Sequence, residues 1–497
     1  MKKYILFILA LISGASLSAR ASEKPGVPSE CEDVMLQAFY WDSYGVTGQA
    51  TPKYGRTKWI DLQKDTVDLC ANFDLIWFPP SAFADGGNGN GGVGYTPKQL
   101  TKQDSDWGTK TALTKLIAAL HRGGTKVIAD VVINHRGNKT NWCNFFTDNF
   151  GTYGSYTLTQ SHICKGDEGF TDASSSCYGA DVSTRGAADS GTNFEGARDL
   201  DHTNEYVQNH SKAYTRWLLG VMKYDGFRYD MTRGYHGKYL KMYNEASQPY
   251  ISVSEFWMDN VSDLQTHLKQ TDSTTMIFDF PQKGIMTTAF SQGLYARLNK
   301  TRNSNTLRGQ GLEKYAVTFL DNHDTFERSD NQGAEFLGYN SDLTNATKHN
   351  RLIQANAYIL MMPGIPCVFY PHWSLYKEEI KPLIALRKQA GIHSESKVTD
   401  EESASFKYHA TIQGHRGTVI LRLGQNRDMT VPEGYHVALD GGTVSYYTIY
   451  LSNDTPEDID EAKGEWRKAK GEKFIENGRL YIRHGEKIYD VLGQLIK

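Results

Sequence analysis

The chain is short of the features that mark several classes of protein. It carries 54 Lys and Arg against 57 Asp and Glu, a net charge of −3 over 497 residues. No basic surplus therefore points to nucleic acid or to an anionic membrane surface. Long apolar runs are missing: after Tyr4–Ile12 no comparable stretch recurs, and that one is too short to span a bilayer. Cysteine is scarce, six residues in all, and no Cys-x-x-Cys pair occurs, which argues against a structural zinc site. Cys143, Cys164 and Cys177 cluster in one loop-rich segment, where a bridge between two of them is expected. Cys70 and Cys367 sit in apolar runs and read as buried thiols.

What is present begins with an export signal. Lys2 and Lys3 precede the apolar run, and Ala19-Arg20-Ala21 offers small residues around a cleavage point. The expectation is a signal peptide over 1–21 and a secreted protein, extracellular or periplasmic, with retention at the cell surface left open. Cleavage would remove Lys2, Lys3 and Arg20 and no acid, taking the net charge from −3 to −6. Hydrophobic content of 39% and charged content of 22% suit a soluble globular chain. The 12% of aromatic residues is open to two readings, a large core or faces that stack on sugar rings.

Strand-like and helix-like segments alternate from about residue 33 to 390. DVMLQAFYW (33–41), LIWFPPS (75–81), KVIADVVINH (126–135), GFRYD (226–230), YISVSEFW (250–257), MIFDF (276–280), AVTFLDNHD (316–324) and PCVFY (366–370) read as strands. KWIDLQKDTVDLCANF (58–73), TALTKLIAALHRGG (111–124) and the 204–224 segment read as helices between them. Eight strands, each followed by a helix or a helix-length segment, predict an α/β fold, the (β/α)8 TIM barrel, over 30–135 and 204–390. Residues 136–203, rich in Gly, Ser, Thr, Asn and Asp, interrupt the alternation after strand three and form an inserted domain. Short alternating runs over 391–452 predict an all-β domain. Residues 453–497 read as a charged linker and a small β-meander with Asn-Gly and His-Gly turns.

Catalytic groups in such barrels sit at the C-terminal ends of strands. Three of the predicted strands end on acids there, at Asp230, Glu255 and Asp324. Arg228 shares a strand face with Asp230, and a cation so close should keep that carboxylate ionised. Glu255 is flanked by Phe256 and Trp257, an apolar setting that should raise its pKa. Any one acid at a strand end is more often a cap or an ion-pair partner, so the weight lies in the set.

DVVINHR (130–136), GFRYD, SEFW (254–257) and FLDNHD (319–324), in this order, resemble the four short motifs of the α-amylase family of glycoside hydrolases. GGVGYTP (91–97), ARDLDH (197–202) and GIHSESK (391–397) make the chain especially similar to the plant-type and related bacterial branch. The resemblance covers roughly residues 30–450. It implies Asp230 as nucleophile, Glu255 as proton donor and Asp324 as the third carboxylate, gripping the sugar in the −1 subsite. It implies His135, His323 and Tyr95 around the same sugar, Arg228 and Trp257 beside it, and Asp130 in support of Arg228. Arg233 stands where many relatives carry a lysine that touches the +2 sugar, and Pro371 stands where relatives often have an acid.

The resemblance also implies a Ca²⁺ site built from Asn134, Asp189 and Asp199 with backbone carbonyls at Thr192 and Gly234. The combined reading is a secreted, monomeric, calcium-dependent enzyme. It would cut internal α-1,4 bonds of starch, glycogen and maltooligosaccharides with retention of configuration. A maltooligosaccharide-forming amylase, a transglycosylase and a non-catalytic starch-binding protein are the rival readings.

Overall fold

The computed structural model describes residues 24–48, 52–88, 92–326 and 346–455, plus the backbone of three strands between 472 and 490; at 346–349 only the backbone is described. The expected signal segment 1–21 and most of the expected linker lie outside the described residues.

Eight parallel strands close into a barrel in chain order: β1 (Met35–Gln37), β2 (Leu75–Trp77), β3 (Lys126–Val131), β4 (Gly226–Tyr229), β5 (Ile251–Ser254), β6 (Met276–Phe278), β7 (Ala316–Phe319) and β8 (Ile365–Phe369). β8 returns to pair with β1, Met35 lying opposite Cys367. The expected barrel is therefore the observed one, strand for strand. The strands are buried on both faces and read as apolar runs, as parallel strands covered by helices do. Each ends earlier than its apolar run suggests. Asp230 and Glu255 lie one residue past the last ladder residue, and Asp324 five past Phe319, in the segments that leave the barrel rim.

Local chemistry sets the helices. Thr109 caps Lys110–Arg122 by accepting from the Ala112 N–H, and Asn204 caps Glu205–Trp217 through the Tyr206 N–H. Asp279 caps Phe280–Gln292, whose first turn also holds Pro281. Two expected helices are broken. The 58–73 segment divides into Trp59–Leu62, a tighter turn Gln63–Asp65, and Thr66–Asn72. The 204–224 segment widens over Leu218–Met222, where Gly220 lies against the Tyr153 hydroxyl and leaves no room for a Cβ.

The insert has a small core of its own, made by Phe145, Leu158, Ile163, Phe170, Cys177, Leu200 and Val207. A disulfide joins Cys143 to Cys177, leaving Cys164 as a buried free thiol. Asp148 ties the insert to the barrel. Its carboxylate takes Arg136 Nη2 at 3.1 Å, His210 Nε2 at 3.1 Å and the Thr101 N–H at 3.2 Å, and these partners hold its pKa down to about 2. Cys70 and Cys367 are buried thiols, as expected.

Gly391 ends the last barrel helix, Lys377–Ala390, in a left-handed conformation (φ 71°). Beyond it five antiparallel strands, β9 (Lys397–Ala404), β10 (Lys407–Gln413), β11 (Thr418–Leu423), β12 (Tyr435–Asp440) and β13 (Tyr447–Ser452), form one sheet in the order β9-β10-β11-β13-β12. Three further strands, Glu472–Glu476, Arg479–His484 and Lys487–Asp490, form an antiparallel meander. A buried fork fastens the barrel to the first sheet. Arg308 gives Nη2 to Glu401 Oε1 at 2.7 Å and Nη1 to Oε2 at 3.2 Å, and the Tyr408 hydroxyl donates to the same carboxylate at 2.6 Å.

Both charges of that fork are 6% exposed, so removing one partner strands the other in a dry site. Arg308→Met should cost about 3–5 kcal/mol, read as a lowered thermal midpoint in calorimetry. Pairing it with Glu401→Gln should recover part of the loss. An unchanged midpoint in the single variant would remove this fork from the forces holding the two domains together.

Candidate active site and cation cradle

Arg228 organises the rim of the barrel. It lies on β4 directly opposite Asp130 on β3 and is 1% exposed. Nη1 meets Asp130 Oδ1 at 2.8 Å and Asp230 Oδ1 at 2.9 Å, while Nη2 meets Glu255 Oε1 at 2.9 Å. One guanidinium thus holds three carboxylates from β3, β4 and β5, using the planar fork that lysine lacks. Asp130 is fixed on its other oxygen by Trp77 Nε1 (3.1 Å) and the Tyr95 hydroxyl (2.8 Å).

Glu255 is held at both oxygens. Oε2 accepts the Met231 N–H at 2.8 Å, and Thr232 donates its N–H and hydroxyl to the Glu255 carbonyl at 3.1 and 2.9 Å. Met231 adopts a left-handed conformation (φ 44°), rare for a side chain of its size. That strain turns its amide toward Glu255 immediately after Asp230.

Asp324 completes the rim from the segment after β7. Its Oδ2 lies 3.2 Å from His323 Nε2, and His323 Nδ1 faces Gln37 Nε2 at 3.0 Å. The His323 ring stacks on Tyr95 (centroids 4.9 Å, planes 8° apart). His135 is buried, with Nε2 on the Tyr95 carbonyl at 2.8 Å, Nδ1 near Asn134 Nδ2 at 3.3 Å, and Phe194 stacked against it at 3.9 Å. Burial holds its pKa at about 4, so it is neutral at ordinary pH. Trp257 is 38% exposed and stacks on Phe280, and Arg233 is exposed at the turn after Asp230.

Electrostatics correct one expectation. Arg228 alone was expected to keep Asp230 ionised. Burial, reinforced by Glu255, Asp130 and Asp324, instead raises Asp230 well above the ordinary carboxylate range, against the pull of Arg228. Glu255 is raised too, by burial first, with Arg228 opposing and Asp324 adding. That is the direction expected from its apolar setting, where Phe256 stacks on His267 and Trp257 on Phe280. Asp130 is pushed up to about 6 by burial. Three carboxylates on one buried guanidinium, with Asp324 adding its field, resist ionising together. The rim therefore keeps at least one proton at a pH where free carboxylates have none.

Next to this rim lies a cradle of unsatisfied oxygens. Asn134 Oδ1, Asp189 Oδ2 and Asp199 Oδ1 are buried, and no donor among the described residues reaches them. Burial and the adjacent Asp189 carboxylate push Asp199 up to about 9. A Cβ on Gly234 would fall 2.1 Å from Asn134 Oδ1, and one on Gly191 would strike the Arg233 carbonyl oxygen at 2.5 Å, so only glycine allows these backbones to close on the cradle. The Thr192 N–H bonds to the Arg233 carbonyl at 2.9 Å, and the Leu200 N–H to the Asn134 carbonyl at 2.9 Å. The five candidate metal-binding residues thus come from the segment after β3, the insert and the turn after β4; carboxylate oxygens of Asp189 and Asp199 lie within 4.8 Å of each other, and Gly234 closes on Asn134. Buried oxygen donors lacking a proton donor fit a hard cation such as Ca²⁺.

Sequence reasoning passed over Trp77, Gln37 and Met231, none of which belongs to a charged pattern. Asp130, read only as a support for Arg228, could have been placed directly: it and Arg228 are both charged residues inside apolar strands.

A family model described as the catalytic domain of alpha amylase matches residues 72–373. Over 429 residues the chain is 30% identical to a protein named probable alpha-amylase 2 from Arabidopsis thaliana, covering 81% of this chain and 92% of that one. Over 400 residues it is 29% identical to the chloroplastic alpha-amylase 3 of the same plant, covering 76% of this chain but only 40% of that protein's length. Among solved structures, an alpha-amylase from Geobacillus thermoleovorans complexed with acarbose aligns with a TM-score of 0.58 at 16% identity. That alignment covers 84% of this chain and 98% of the other, a likeness of fold.

Asp130→Asn removes one of the charges that raise the Asp230–Glu255 pair. The pair's apparent pKa should fall, so its proton should leave at lower pH. Infrared titration of the protonated carboxyl band, with Glu255→Gln as the assignment control, measures this. A band that titrates unchanged would contradict the charge cluster described above.

Proposed function

Because the chain belongs to the α-amylase family of glycoside hydrolases, we propose that it is an endo-acting α-amylase. It hydrolyses internal α-1,4-glucosidic bonds of starch, glycogen and maltooligosaccharides, with retention. The observation that carries this reading is the single guanidinium holding Asp230 and Glu255 together, each at 2.9 Å. A retaining glycosidase needs two nearby carboxyl groups sharing one proton, one to protonate the leaving oxygen and one to attack carbon.

The steps follow from that pair. Glu255 gives its proton to the glycosidic oxygen as the bond to C1 breaks. Asp230, ionised in that microstate and oriented by Arg228, forms an ester to C1. Glu255, now a carboxylate, takes a proton from water, which attacks C1 and frees Asp230. Asp324, beside His323 at the open end of the rim, accepts from hydroxyls of the sugar in the −1 subsite. The stacked Tyr95 and His323 rings offer that sugar an apolar wall. Arg233, exposed and one turn beyond Asp230, reaches toward the leaving-group side.

Asn134, Asp189, Asp199 and the carbonyls of Thr192 and Gly234 would hold a Ca²⁺ ion. The ion would supply a positive centre joining the insert to β3 and to the turn after β4, and so would hold the cleft wall in place. Among the described residues no helix is long and apolar enough to cross a membrane. The basic and apolar opening of the sequence supports export.

Starch stained with iodine, followed alongside reducing-sugar release, tests the activity. Endo attack should bleach the colour while few reducing ends appear, and the first product observed by proton NMR should be the α-anomer. Glu255→Gln should lower kcat by about 10²–10⁴-fold while starch binding persists. Binding without release by the unaltered enzyme would favour the starch-binding reading instead. Calcium is tested separately. Chelator should lower the thermal midpoint, because an ion bound only by the folded chain stabilises it, and Asp199→Asn should abolish the difference. A midpoint indifferent to chelator would eliminate the Ca²⁺ site.

A further inference from the structure

Three cysteines lie in the insert, and the disulfide uses only Cys143 and Cys177. Cys164 is 1% exposed, yet it does not simply pack into apolar surroundings. Its Sγ, a carboxylate oxygen of Asp189 and one of Asp199 all lie within 4.8 Å of one another. The backbone fixes this placement, since the Cys164 N–H donates to the Asp199 carbonyl at 2.8 Å. A neutral thiol beside two carboxylates adds nothing for a hard cation, which takes oxygen ligands. A thiolate is instead a strong ligand for softer ions.

We propose that the cradle is a mixed oxygen–sulfur site, in which Cys164 Sγ joins Asp189 and Asp199 to bind a thiophilic divalent cation of the zinc–cadmium class in competition with calcium. This builds on the reading of the cradle as a cation site, and it adds a ligand and a metal class to that reading. Three observations converge on it. The sulfur and both carboxylates are within reach of one ion. Asp189 Oδ2 and Asp199 Oδ1 are buried without a donor, and Asn134 Oδ1 is buried in the same state. Asp199 is also held from behind. Its N–H donates to Asp167 Oδ2 at 2.9 Å, and the other Asp167 oxygen takes Trp142 Nε1 at 2.6 Å and the Gly169 N–H at 2.9 Å. Such backing sets the orientation of a ligating group. The binding step is a simple exchange: the Cys164 S–H bond breaks, its proton passes to solvent, and a sulfur–metal bond forms with no change of oxidation state.

The experiment uses the full-length protein, stripped of metal, with Cd²⁺ as probe. Titration should produce a sulfur-to-cadmium charge-transfer band in the ultraviolet that saturates at one equivalent and is displaced by excess Ca²⁺. Cys164→Ser should lose the band and weaken Cd²⁺ binding at least by the about 10–100-fold that loss of an outer partner costs. The same variant should keep the calcium-dependent rise in thermal midpoint. If Cys164→Ser does not fold, alkylation of the unaltered protein replaces it: Cd²⁺ should protect Cys164 from iodoacetamide, read by peptide mass spectrometry. No band, a band that survives Cys164→Ser, or alkylation indifferent to Cd²⁺ would overturn the proposal. A calcium-raised midpoint without any cadmium band would defeat the sulfur ligand and leave the calcium reading standing. A cadmium band that excess Ca²⁺ fails to displace would overturn the competition with calcium and so the shared cradle.

Discussion

The structure depends on one buried cation. Arg228 sits inside the barrel among groups that would otherwise repel one another, and it meets Asp130, Asp230 and Glu255 at 2.8–2.9 Å. A buried charge is costly unless it is paired and hydrogen-bonded. Here the cost on each side offsets the cost on the other. The carboxylates make the guanidinium tolerable in the dry interior, and the guanidinium lets carboxylates from three strands converge. The balance is incomplete, because one positive charge faces more than one negative. Burial first, and that shortfall after it, raise Asp230 and Glu255 together and favour a shared proton in the cluster. A pair of coupled acids sharing one proton is what general acid and nucleophile require, and neither residue alone carries a pKa that would assign its role.

The insert holds a cluster of opposite sign. Its cradle gathers buried acceptor oxygens that no donor among the described residues reaches, the setting that the proposed cation would complete. Elsewhere the insert completes itself. The Arg198 guanidinium spans the carbonyls of Gly137, Trp142 and Asn144 and lies over the Phe145 ring, closing the loop at its entry and exit. Asp148 binds Arg136 and His210. A segment with so small an apolar core is therefore ordered by polar groups facing inward, and its composition alone reads as a solvated loop.

The barrel was legible in the sequence because buried parallel strands are apolar throughout and end at acids. Those signals are local, and all eight strands fell where the apolar runs lie. Strand ends were overestimated, since an apolar run continues past the last ladder bond into the rim, as buried Val132 and Ile133 do after β3. The helix breaks at Gln63–Asp65 and Leu218–Met222 answer to tertiary contacts, such as Tyr153 against Gly220, and leave no periodic trace. At the site, the charged residues could be read and their electrostatics could not. The proximity of Arg228 to Asp230 is a matter of strand alternation. The raising of Asp230 comes first from burial in the folded barrel and then from Glu255, Asp130 and Asp324, which other parts of the chain supply. The part played by Cys164 was likewise invisible, because three clustered cysteines do not say which one faces the aspartates.

Ending the strands before the candidate acids has a physical consequence. A side chain on a ladder residue points either into the barrel core or toward the helices, in strict alternation. Asp230 and Glu255 sit one residue past their strands, and Asp324 five past Phe319, so all three can turn toward a common space above the barrel. The Asp230 N–H still donates to the Val131 carbonyl at 3.1 Å, and the Glu255 N–H to the Tyr229 carbonyl at 3.0 Å. The backbone ladder therefore continues one bond beyond the sheet proper at both positions. Met231 then breaks it with a left-handed turn that aims an amide at Glu255. Precision comes from the last ladder bond and reach from the strained residue after it. A longer strand would have buried Asp230 in the layer below, and a looser loop would have let it leave Arg228.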